Sequence, residues 1–288
     1  MKDKHLSFLF IGLTLVTTHY IEAQDKMPYK IFDRNGKESS YDKMCTAAVK
    51  NQVVLFGEYH DNSIIHWLEL AVAKDISAKS KLVMGAEMLE SDNQMQLNQY
   101  LAGAITQEQL DSTARLWPNY KTDYKPLVDF AKANKIPFIA TNVPRRYASK
   151  VYKGGFETLE SLTIEEKKMM APLPIAYDKS LPGYVKMVEE MGGHGGENLP
   201  KAQAIKDATM AWFISQNLLK DSVFLHYNGT YHSDNYDGIY WYLKRYNSNL
   251  KILTIATVSQ AAIAKLEKGN HNKADFIIVT DEDITKTY

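Results

Sequence analysis

Val53-Val54-Leu55-Phe56-Gly57-Glu58-Tyr59-His60-Asp61 decides how this chain reads: an apolar run stops at a glycine and then delivers a Glu, a His and an Asp within four residues. Four apolar residues, two of them β-branched, are too few for a helix and suit a strand covered on both faces. Ile64, Ile65, Leu68, Ala71, Val72 and Ile76 then recur at helical spacing, with Ser63 placed to cap them. In an open α/β sheet, ligands bind at the carboxyl ends of the strands, where Glu58 and His60 would stand. Taken alone, the tetrad reads better as a turn carrying a surface histidine, because short patterns recur by chance.

The same grammar repeats along the chain. Lys81-Leu82-Val83-Met84-Gly85-Ala86-Glu87 is a second apolar run ending in a carboxylate, and the run Ile136 to Thr141 leads into Asn142-Val143-Pro144-Arg145-Arg146. Val223-Phe224-Leu225-His226-Tyr227 stops at Asn228-Gly229-Thr230-Tyr231-His232. With Ile252 to Ala256 and Phe276 to Val279, about six strands alternate with helical stretches, which predicts an α/β fold with a mainly parallel central sheet flanked by helices. Asp33-Arg34-Asn35-Gly36 reads as the turn of an entry hairpin serving as a lid or edge. Residues 154–200 are the least regular: a Thr163-Ile164-Glu165-Glu166 capping box, three prolines by residue 182 and the cluster Gly192-Gly193-His194-Gly195-Gly196 predict a helical insertion or lid with a mobile loop. Ala202 to Leu219 is the clearest helix.

Composition narrows the classes of function. The 288 residues are 45% hydrophobic and 24% charged, enough for one large globular domain. Lys2 and Lys4 precede the apolar run Leu6 to Val16, and Ile21-Glu22-Ala23 offers a small residue for cleavage, so residues 1–23 read as a secretory signal, too short in its apolar core for a transmembrane span, and residues 24–288 as the mature domain. Removing the signal takes two Lys, one Asp and one Glu and leaves the net charge at zero, which argues against nucleic acid or an anionic membrane recruited by bulk charge. Cys45 is the one cysteine: it permits no intrachain disulfide and lies too far downstream to be lipidated at a signal cleavage site, pointing to an exported, periplasmic or envelope-associated protein without a lipid anchor. Eighteen Tyr against ten Phe and four Trp favour the aromatic with a polar handle, which suits binding and, as phenolate, ligation of ferric haem.

Gly57-Glu58-Tyr59-His60 and Gly229-Thr230-Tyr231-His232 are two copies of Gly-x-x-His, each directly after a buried strand. Glycine allows a sharp exit from the sheet, and histidine three positions on can turn back over the strand end. Glu87 and Arg145 bring the set to two imidazoles, a carboxylate and a guanidinium, each from a different strand end. His60 and His232 therefore read as members of one site. His66 reads as a structural helix histidine, His226 as a packed strand histidine, and Met187 with Met191 as a packing stripe.

This ordered set resembles the ChaN-like haem-binding uptake proteins of the Tiki and erythromycin esterase-like superfamily. The resemblance runs over roughly residues 45 to 260. It includes Leu101-Ala102-Gly103, the Tyr-x-Pro-Leu-x-x-Phe-Ala helix from Tyr124, Asn142-Val143-Pro144-Arg145, and Gln203-Ala204-Ile205-Lys206-Asp207-Ala208-Thr209-Met210-Ala211. It implies an exported haem-binding protein of bacterial haem and iron acquisition, working without turnover with an outer-membrane haem receptor system, as a homodimer that holds paired haems. It also implies that His60, Glu87, Arg145 and His232 form the shared polar site of the superfamily. The alternative it implies is a metal-dependent hydrolase, Tiki-like protease or esterase-like, in which His60, Glu87 and His232 hold a divalent ion (Mn, Co or Zn) and Arg145 faces an oxyanion. The missing lipidation cysteine departs from the family. Haem contacts are expected in the segment from Ile175 to Gly196, with Tyr184 or His194 as first choice of axial ligand and Tyr177 beside them.

Overall fold

The computed structural model describes residues 26–190 and 196–288. The signal-like stretch, Met191 and His194 lie outside them. One seven-stranded sheet carries the architecture: β1 Tyr29–Asp33, β2 Val53–Glu58, β3 Lys81–Glu90, β4 Phe138–Asn142, β5 Ser222–Gly229, β6 Ile252–Gln260 and β7 Phe276–Asp281, in the order β1-β7-β6-β2-β5-β3-β4. All neighbours are parallel except β1, which runs antiparallel to β7. The expected α/β sheet is present, with one strand more than the periodicity suggested.

That extra strand replaces the expected hairpin. Asp33 Oδ1 accepts from the Asn35 and Lys37 amides, 2.9 and 3.0 Å, and Gly36 takes a φ of 80°, so the turn forms as read. The returning chain makes only a Phe32–Glu38 bridge before Ser40 caps helix α1, Tyr41–Ala48. β1 therefore completes the edge of the sheet through β7.

The strands are buried on both faces, yet side-chain alternation still sorts them into two cores. Val54, Phe56, Val223, Leu225 and Tyr227 pack under α1, α2 (Ser63–Ser77), α3 (Gln94–Leu101) and α5 (Lys125–Asn134). Val53, Leu55, Val83 and Phe224 pack on the opposite face against α6 (Arg145–Gly154), α9 (Asn198–Gln216) and α10 (Ile239–Tyr246). The short helix α4 (Gln107–Thr113) has a capping box at Thr106 and Gln109. Asn62, not Ser63, is the N-cap of α2: its Oδ1 accepts from the Ile64 and Ile65 amides, and Ser63 becomes the first helical residue.

The insertion divides into two parts. Leu159, Leu162, Met170, Ala171 and Ile175 are buried in the second core around α7 (Ile164–Lys167), whose expected Thr163–Glu166 capping box is present. Beyond Ile175, α8 (Pro182–Glu190) lies over α9 and contributes Tyr184.

Candidate functional site

Register brings the two Gly-x-x-His motifs together. β2 and β5 are adjacent, with Glu58 opposite Gly229, and β3 lies on the other side of β5. Close approach explains both glycines. A Cβ on Gly57 would stand 3.1 Å from the Ile255 carbonyl oxygen and the Thr230 Cα, and one on Gly229 would stand 2.8 Å from His60 Nε2. The backbone N–H of Gly229 donates to Glu87 Oε2 at 2.8 Å.

On the α2 side of the strand ends, Glu58 anchors one polar cluster. Its Oε1 meets His60 Nδ1 at 2.7 Å and accepts from the Tyr124 hydroxyl at 2.9 Å, while Oε2 lies 3.1 Å from His66 Nδ1. His66 Nδ1 is also 3.2 Å from Glu69 Oε2, one helical turn away on α2. A single π turn, Tyr120–Tyr124, precedes α5 and supplies Tyr124 and the buried Asp123. Asn119 donates to Asp123 at 2.7 Å and to the His60 carbonyl at 2.9 Å, and Thr287 donates to Asp123 at 2.8 Å.

Charge in this cluster is set by burial against pairing. Burial alone would lower the His66 imidazole, but hydrogen bonds to Glu58 and Glu69 outweigh it and push it up to about 11. Burial would raise Glu58, yet bonds from His60 and His66 hold it down to about 2. Glu69 rises well above the usual carboxylate range because it is buried and faces the charge of Glu58. The consistent state is an ionised Glu58, a cationic His66 and a neutral Glu69. Glu58, His66 and Glu69 are the one set among the described residues whose donor atoms gather within 4.8 Å as metal ligands would, and the imidazolium is itself the cation between the carboxylates.

A second cluster forms on the α9 side. His232 Nδ1 meets Asp207 Oδ1 at 2.5 Å, and Nε2 meets Glu87 Oε1 at 3.0 Å. The Tyr184 hydroxyl donates to Asp207 Oδ2 at 2.9 Å. Burial works against a charged His232, but the two carboxylates outweigh it and raise the imidazole to about 9. The same pairing holds Glu87 well below the usual carboxylate range despite its burial. With both ring nitrogens bound to carboxylates, His232 has no lone pair free for a metal in this arrangement.

His60, Glu87, Arg145 and His232, the four residues expected in one site, line one cavity of about 560 Å³, joined there by Trp117, Asn142, Met187, Gln203 and Lys206. His60 packs edge-on to Trp117, with ring centroids 4.8 Å apart. Arg146 instead pairs with Asp92. His226 is fully buried between Thr141 and Asn228, and burial lowers it to about 4, so it is a neutral packed residue as read. Met187 lines the cavity, and its expected stripe partner Met191 lies outside the described residues. Tyr177 and Tyr184 lie elsewhere, in an apolar groove of about 620 Å³ with Val185, Val188 and Pro200, bordered by Lys179, Lys201, Glu189 and Glu197. Their rings are 5.7 Å apart.

Sequence reading missed the partners rather than the motifs. Asp207 was legible: it follows Gln203 by four residues, which puts both on one face of α9. His66 and Glu69 carried an i,i+3 signal, but nothing local marked Asp123 and Tyr124, whose approach to Glu58 depends on tertiary packing.

Residues 44–243 match the family model described as haem-binding uptake, Tiki superfamily, ChaN. The chain belongs to this family. The ChaN match runs from within α1 to α10 and takes in every member of both clusters except Thr287, leaving β1, β6 and β7 outside. Among solved structures, the chain is similar to ChaN of Campylobacter jejuni, described by its cofacial haem binding, with a TM-score of 0.65 and 20% identity over 88% of this chain and 97% of that one. This likeness shows the fold. Type III effector HopBA1 (TM-score 0.49, 12% identity, 84% and 93% covered) and erythromycin esterase EreC (0.46, 9%, 88% and 83%) resemble it more distantly. No curated protein matches the sequence significantly. No helix among the described residues is long and apolar enough to cross a membrane.

Proposed function

We propose that this ChaN-family chain is an exported haem-binding protein of bacterial haem and iron acquisition, with the haem seated in the apolar groove beside α8. The observation that carries the reading is the chemistry of that groove: Val185, Val188 and Pro200 give apolar walls, Lys179 and Lys201 can pair with propionates, and two tyrosines face it. Tyr177 is the better axial ligand. Its hydroxyl makes no hydrogen bond among the described residues, whereas that of Tyr184 is already given to Asp207, whose charge, after burial, raises the phenol further. Bound ferric haem would supply the iron that a phenolate can ligate. Delivery to or from an outer-membrane haem receptor system, and pairing of two copies around their haems, belong to the same reading.

Titration of the apo-protein with ferric haem, followed by absorption, tests it. A saturable high-spin complex whose spectrum changes in Tyr177→Phe is expected. An unchanged spectrum in that variant would sink the ligand assignment, and absence of any saturable complex would sink the haem reading. Recovery of the chain from the periplasm without residues 1–23, read by intact mass, tests export.

A second reading is favoured by one geometry. Glu58 holds His60 through Nδ1, and Nε2 lies on the cavity side, close to Gly229 and Glu87. A carboxylate that fixes imidazole orientation in this way is the arrangement of a general base. His60 would take a proton from water as the water oxygen bonds to a carbonyl carbon. The carbonyl electron pair would move to an oxyanion facing Arg145, and the proton would pass to the leaving group as it departs. Hydrolysis of an ester or amide panel by wild type, lost in His60→Ala and measured with and without added Mn, Co or Zn, tests this reading and its metal dependence together.

A further inference from the structure

The polar cavity has a surplus of positive charge that its own carboxylates do not neutralise. Glu87 is occupied by His232 and by the Gly229 amide, and Glu90 by Arg115. Arg145 and Lys206, which also line the cavity, form no ion pair or side-chain hydrogen bond among the described residues. The wall carries a second sign of a missing partner: Asn142 is 7% exposed, and its Oδ1 is buried with nothing to accept from. Unsatisfied buried carbonyl oxygens are uncommon and costly unless a ligand or water completes them. Trp117, Val143 and Met187 supply apolar surface in the same space.

From these features we infer that the cavity binds a small organic acid: a carboxylate between Arg145 and Lys206, an apolar body against Trp117 and Met187, and an N–H or O–H donated to Asn142 Oδ1. An N-acylated amino acid or a short peptide end has all three groups. A guanidinium suits a carboxylate because its paired N–H groups match the two oxygens, and Lys206 adds a point charge. The site is distinct from the groove of Tyr177, and it requires neither bound haem nor turnover.

Calorimetric titration of the haem-free full chain with N-acetyl-leucine, its methyl ester and inorganic phosphate tests the inference. The acid should bind saturably, and the ester and phosphate at least about tenfold more weakly. Arg145→Gln and Lys206→Gln should each weaken the acid by about ten- to a hundredfold, the range of a lost charged hydrogen bond, while leaving ferric haem titration unchanged. Both residues are at least partly exposed, so these variants should fold. Failure of the acid to bind, equal binding of acid and ester, or equal binding of acid and phosphate would overturn the inference. So would loss of haem binding in Arg145→Gln, which would make the guanidinium a propionate partner and the cavity part of the haem site.

Discussion

His66 stands between Glu58 and Glu69 with little access to water, so replacing it by Gln should be among the most damaging single changes in the molecule. Moving the imidazole from its ordinary value near 6.5 to about 11 corresponds to about 6 kcal/mol of preference for the charged form. Part of that only offsets the cost of burying the carboxylates, and buried pairs broken on one side lose about 3–5 kcal/mol. His66→Gln should therefore cost about 3–5 kcal/mol. Glu69→Gln should cost less than about 1 kcal/mol, because it exchanges a neutral acid for a neutral amide of similar shape.

The pH dependence has a defined sign. The folded pKa of His66 is raised, so its contribution is complete below about pH 6.5 and fades as pH rises toward 11, by about 1.4 kcal/mol per pH unit. The folded pKa of Glu58 is depressed, so its contribution is present above about 4.5 and lost as pH falls toward 2. The folded pKa of Glu69 is raised, so its contribution fades as pH rises above about 4.5, and stability from this cluster should peak near pH 4.5. Urea unfolding followed by circular dichroism at several pH values would measure both variants. The gap between wild type and His66→Gln should narrow above pH 6.5. A loss under about 1 kcal/mol for His66→Gln, or an equal loss for Glu69→Gln, would refute the charge state assigned here.

Two further changes probe the strand ends. Asp207→Asn removes one of the two carboxylates that raise His232, so its imidazole should titrate about one unit or more below the present value near 9, read from its ring protons by NMR; an unshifted titration would show that Glu87 alone sets it. Gly229 has a φ of −54°, open to any residue, so Gly229→Ala should act only through contact: the new methyl meets His60 Nε2, and the change should cost about 1–3 kcal/mol and displace the His60 ring resonances. Unchanged resonances would mean that His60 does not occupy the observed position.

The fold was legible because strand ends, helix caps and periodicity are local: β2, β3 and β5 could be read with their polar ends, and the capping box at Thr163 formed. The site was legible as far as each strand delivered its own residue. What could not be read was the difference between the two motifs. Both end in histidine, but β2 places Glu58 on the α2 side while β3 places Glu87 on the α9 side, a consequence of pleat and register that appears only when the strands are paired. His60 thus keeps Nε2 toward the cavity, and His232 is held by carboxylates at both nitrogens.

Hydrogen bonding separates the roles of the two tyrosines, of which the sequence reading put Tyr184 ahead of Tyr177. Tyr184 faces the groove but donates its hydroxyl hydrogen bond to Asp207, and through Asp207 and His232 it is joined to Glu87 in the polar cavity. Removing that hydroxyl in Tyr184→Phe leaves one oxygen of a fully buried carboxylate without its donor, which should cost about 1–3 kcal/mol of stability. Tyr177 has no such duty, so Tyr177→Phe should cost less than about 0.5 kcal/mol. Haem spectra should behave the other way, altered by loss of the Tyr177 oxygen and little changed by loss of the Tyr184 oxygen. Measuring unfolding and haem absorption on both variants gives four values whose pattern is specific. If Tyr184→Phe alone alters the spectrum, haem iron must displace Asp207 from the phenol, and groove and cavity would then act as one site.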